Sequence, residues 1–87
     1  MIISQKYLSE LSHGMNYSDA VSVYEITTDK RIDDINSIGK ELFPNQVPYE
    51  LWKRNQSDMA AYFQGYFIVT RINDTTYQVK SVEPYDD

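Results

Sequence analysis

The sequence predicts an α+β fold: a small antiparallel sheet, made of one strand plus a C-terminal β-hairpin, packed with two to four short helices. Three observations lead there. Residues 20–27 are rich in β-branched and aromatic side chains, Ile32 to Leu42 carry an apolar stripe at helical spacing, and two strand-like runs flank Asn73-Asp74-Thr75. The chain has 87 residues, a length that supports one hydrophobic core and a single domain over residues 1–87.

Each element follows from local chemistry. Ile3, Tyr7, Leu8 and Leu11 are spaced by four, one and three, which predicts a short helix over residues 3–12, with Gly14 after His13 as its left-handed stop. Met15 to Asp19 reads as a loop, and Ala20 to Thr27 as the first strand. Thr28-Asp29 offers an N-cap to the next helix, with Asp33 and Asp34 early in it, where negative charge suits the dipole. Ile32, Ile35, Ile38 and Leu42 then recur at three, three and four, so that helix should end near Phe43, before Pro44. Gly39 inside it costs about 1 kcal/mol relative to Ala, which suggests close packing against a neighbour.

Pro44 to Val47 is a linker, and Pro48 suits the first position of a new helix because its missing N–H has no partner to lose there. Leu51, Trp52, Asn55, Met59 and Tyr62 share a face if that helix continues. Alternatively, Asn55 to Asp58 ends it and caps another beginning near Met59. Phe63 to Ile72 reads as a strand with Phe67 and Val69 on one side and Tyr66, Ile68 and Ile72 on the other. Thr76 to Glu83 returns with Tyr77, Val79 and Ser81 on one side, and Pro84 ends it. Helices covering one face of the sheet complete the expected architecture. The hairpin is apolar on both sides, so its second face needs either further helices or a partner laid on exposed aromatic residues.

Composition narrows the function. Eight tyrosines, one histidine and no cysteine accompany a net charge of -5. Tyrosine supplies wide contact area with few rotors to freeze, whereas catalysis needs a tuned acid, base, nucleophile or metal, and such side chains are scarce here. His13 beside Gly14 has no nucleophile paired with it, and one His among scattered carboxylates lacks the ligand set of a zinc site. Gly14, Gly39 and Gly65 are dispersed, so no phosphate-cradling loop forms and no cofactor is expected. Asp33 and Asp34 are adjacent and point apart on a helix, which favours a dipole role over paired acid–base chemistry, and Asp74 reads as a turn residue. The reading is therefore of a non-enzymatic binding protein.

Thirteen acidic residues against eight basic ones oppose direct nucleic-acid binding and would steer the chain toward a basic surface. Stacking of single-stranded bases on sheet tyrosines is the competing nucleic-acid reading, but only Arg71 and Lys80 lie in the hairpin. Trp52 with Tyr49 is the best candidate for an interface anchor, and the alternative for Trp52 is a core plug beside the sheet. The tail Pro84-Tyr85-Asp86-Asp87 is either an acidic hook or a frayed end. The absence of cysteine, of a signal-like amino terminus and of a long apolar run leads to an expected cytoplasmic location without membrane contact.

In size, acidity and lack of catalytic equipment the chain resembles the small proteins that phages and other mobile elements encode against host defences. Anti-CRISPR proteins are the best-populated group, with restriction and glycosylase inhibitors alongside. The resemblance rests on no motif. It implies a stoichiometric blocker acting in the host cytoplasm on a nucleic-acid-handling effector. Asp33, Asp34, Glu50, Asp58, Asp86 and Asp87 would stand in for phosphates, and Tyr49, Tyr66 or Tyr85 would supply contact area. Dedicated DNA mimics carry denser acidic runs than this chain, whose longest is a pair, so a mixed aromatic and acidic interface is expected. A different class of reading is a structural or regulatory subunit that homodimerises through an exposed aromatic sheet face.

Overall fold

The computed structural model describes residues 2–11, 20–55 and 57–84. The fold is α+β. Its elements run β1 (Ile2–Leu11), β2 (Ala20–Thr28), α1 (Asn36–Leu42), β3 (Val47–Pro48), α2 (Tyr49–Arg54), α3 (Met59–Gln64), β4 (Tyr66–Arg71) and β5 (Thr76–Glu83). The sheet has five strands in the order β1-β2-β5-β4-β3. Every pairing is antiparallel except the two-residue contact of β3 with β4, so the sheet is mixed and larger than the one strand plus hairpin expected.

The main correction concerns the first segment, which is a strand and not a helix. β1 pairs with β2 along its length, with Gln5 opposite Ile26 and Tyr7 opposite Tyr24. Register shifts between Ile2 and Ser4 and between Tyr7 and Ser9 mark β-bulges. Each bulge inserts a residue and breaks the two-residue alternation. Ile3 and Leu8, two of the positions that made the spacing look helical, are the inserted ones. Their exposure, 62% and 44%, also shows that no apolar helical face is being buried there. Gly14 as a helix stop and the Met15–Asp19 loop lie outside the described residues.

β2 forms where expected, and its last residue, Thr28, donates its hydroxyl to the carbonyl of Lys30 and caps no helix. The following helix is shorter than its apolar stripe: α1 starts at Asn36, with Asp33 and Asp34 in the preceding loop. The reason lies at Ile32. Its N–H donates to the Tyr77 hydroxyl at 2.9 Å, and its carbonyl accepts from Arg71 Nη2 at 2.7 Å. Those backbone groups are held by side chains of β4 and β5, so they are not available to an α-helical ladder. Ile32 and Ile35 still pack on the core from the loop, joined by Ile38 and Leu42 of α1. Gly39 faces Phe67 so closely that an added Cβ would overlap the ring, which bears out the expected close packing.

α2 begins at Tyr49, one residue later than expected, with Pro48 as its N-cap residue and not its first helical position. The helical segment divides, and the Asp58 side chain accepts from the N–H of Ala61 to cap α3. Phe63 belongs to α3 and not to the strand, because Gly65 at φ 88° turns the chain into β4; a Cβ there would strike the Val82 carbonyl. The hairpin itself has the expected facing. Ile26, Tyr77, Val79, Val69 and Phe67 line one side, covered by α1, while Val21, Val82 and Tyr66 line the other.

That second side is covered too. Trp52 of α2 and Tyr62 of α3 pack on it, so helices lie on both faces, not one. Tyr66 is 8% exposed and Tyr77 fully buried, which removes the exposed aromatic face expected on the hairpin. Where the helices end, the second face is polar, with Glu25, Gln78 and Thr70 opposite one another in a cross-strand row. Burying Tyr77 and Phe67 under α1, and Tyr66 and Val82 under Trp52 of the second layer, satisfies strands that are apolar on both sides.

Candidate partner-binding site

The candidate residues divide between the two ends of the sheet. Ala20 pairs with Glu83 at one end and Thr27 with Thr76 at the other, a separation of roughly 23 Å at strand rise. Tyr49, Glu50, Trp52, Asp58 and Tyr66 gather at the first end, on α2, the N-terminus of α3 and the start of β4. Asp33 and Asp34 lie at the second end, in the loop after β2. Tyr85, Asp86 and Asp87 lie outside the described residues.

At the first end four rings pack in series. Tyr49 meets Tyr66 edge-on at 4.9 Å between centroids, Trp52 lies 4.7 Å from Tyr66, and Tyr62 stacks on Trp52 at 5.3 Å. The indole N–H of Trp52 donates to the Tyr62 carbonyl at 3.1 Å. Trp52 and Tyr66 are therefore core, and the half-buried Tyr49 and Tyr62 are the rings with an outer face. Around them Glu50 and Asp58 are exposed, as are Leu51 at 42% and Met59 at 59%. Leu51 and Met59 were legible only as members of a shared helical face; the break between α2 and α3 turns them outward. Lys53 and Arg54 on the last turn of α2 balance Glu50 and Asp58, so this surface is amphipathic more than acidic.

The second end is the acidic one. Arg31 donates from Nε to Asp33 at 3.3 Å and from Nη1 to Asp74 of the hairpin turn at 3.0 Å. Those two carboxylates hold its guanidinium above its ordinary range, Asp33 being the larger influence. Arg71 points inward: its Nη2 bonds the Ile32 carbonyl, and its Nη1 donates to the Tyr77 hydroxyl at 3.1 Å. Asp33, Asp34 and Asp74 are all exposed, and Arg31, exposed as well, bridges Asp33 and Asp74 at the surface. Asp74 joins the acidic group through a long-range ion pair, a partner that a turn-residue reading has no means of finding.

A groove of about 320 Å³ is lined by Leu42, Phe43, Pro44, Asn45, Gln46, Gln64 and Glu83. Its buried Gln46 is fully engaged, accepting from the Ser81 hydroxyl at 2.8 Å and donating to the Gln64 carbonyl at 2.9 Å. Among the described residues no group of three or more His, Cys, Asp and Glu side chains is placed to hold a metal ion, and no helix is long and apolar enough to cross a membrane. The hairpin tyrosines Tyr66 and Tyr77, expected to offer a stacking platform for single-stranded bases, are buried. Comparison with protein-family models, with curated proteins and with solved structures gives no match to this chain.

Proposed function

We propose that this chain is a non-enzymatic binding protein that obstructs a basic, nucleic-acid-handling partner, in the manner of anti-CRISPR and other anti-defence inhibitors. The observation that carries the reading is the acidic end: Asp33, Asp34 and Asp74 are exposed, with Arg31 bridging Asp33 and Asp74 at the surface and Arg71 turned inward. Carboxylates set on a braced loop face a basic groove without ordering it first, and this lowers the entropic cost of docking. The channel of a nucleic-acid effector supplies the complementary charge. The protein acts in this reading as a cytoplasmic blocker, without cofactor, membrane or direct nucleic-acid contact.

Because the aromatic and acidic residues lie at opposite ends, one small basic patch does not engage all of them. The acidic end provides steering and phosphate mimicry, and Tyr49, Glu50, Asp58, Leu51 and Met59 form a separate contact region. The test is binding to purified CRISPR and restriction effectors, each with and without nucleic acid, at low and moderate salt. Wild type should bind the nucleic-acid-free effector and lose affinity as salt rises. Asp33→Lys with Asp34→Lys should weaken low-salt binding by roughly tenfold or more and flatten the salt slope. A double variant that binds as tightly as wild type at both salt levels would take the acidic loop out of the interface, and binding to none of the effectors would sink the proposal.

A further inference from the structure

We draw no further inference here: the strongest candidate, the exposed patch of the second sheet face around Ile68 and Thr70 of β4 and Gln78 of β5, carries nothing because nothing in the structure shows what covers it.

Discussion

Removing a single oxygen at Tyr77 tests how the acidic loop is built. Tyr77 is fully buried, and its hydroxyl makes three contacts: it accepts from Ile32 N–H at 2.9 Å and from Arg71 Nη1 at 3.1 Å, and it donates to the Asp74 carbonyl at 2.7 Å. In Tyr77→Phe the ring still fills its place among Ile26, Phe67 and Val79, so little packing is lost. Arg71 keeps its bond to the Ile32 carbonyl, and the exposed Asp74 can turn its carbonyl to water. The half-buried Ile32 N–H is left without an acceptor, a loss of about 1–3 kcal/mol, and the other two bonds contribute about 0.5–1.5 kcal/mol each before water replaces them. The sum expected is about 2–3 kcal/mol. For a domain of this size that lowers Tm by roughly 10–20 °C.

Urea denaturation followed by circular dichroism reads the change as a lower midpoint at unchanged slope. Native-state hydrogen exchange reads the local event, since the Ile32 amide should lose protection more than the amides of β5. A destabilisation below about 0.5 kcal/mol, within the range of ordinary surface changes, would refute the reasoning. It would mean that the loop after β2 is held by the packing of Ile32 and Ile35 and that the Tyr77 hydroxyl is incidental.

Two further stability predictions follow from the core. Gly39→Ala ordinarily stabilises a helix by about 1 kcal/mol, yet here the new methyl meets the fully buried Phe67 ring. A net loss of about 1–3 kcal/mol by urea denaturation is expected, and a gain would show that Phe67 can move aside. Trp52→Phe removes the bond from the indole N–H to the Tyr62 carbonyl and part of the stack on Tyr66 and Tyr62. It should cost about 1–2 kcal/mol, and an unchanged thermal midpoint would move Trp52 from the core to the surface.

The parts of the fold legible in the sequence are those whose signals are local. β2 announces itself by Val21, Val23, Tyr24 and Ile26, the hairpin by its turn and by the sides assigned to Phe67, Val69, Tyr77 and Val79, and the start of α3 by Asp58. The tight fit of Gly39 was visible as a helix-weakening residue in an otherwise regular stripe. β1 was not legible, because bulges at Ile3 and Leu8 imitate helical spacing and its identity depends on pairing with β2. Nor was the early end of the helical stripe, because Ile32 is claimed by Tyr77 and Arg71, residues far along the chain.

The candidate site divides the same way. Composition alone carried the acidic balance, the abundance of tyrosine and the amphipathic pattern of the α2–α3 region, for these are sums and short-range periods. Tertiary structure decided that Trp52 and Tyr66 are core, that helices close both faces of the sheet, and that Asp74 joins Asp33 through Arg31. It also set the aromatic and acidic groups at opposite ends of the sheet. The physical reason is that propensity and charge belong to each residue, whereas burial and ion pairing depend on which distant segments the chain brings together.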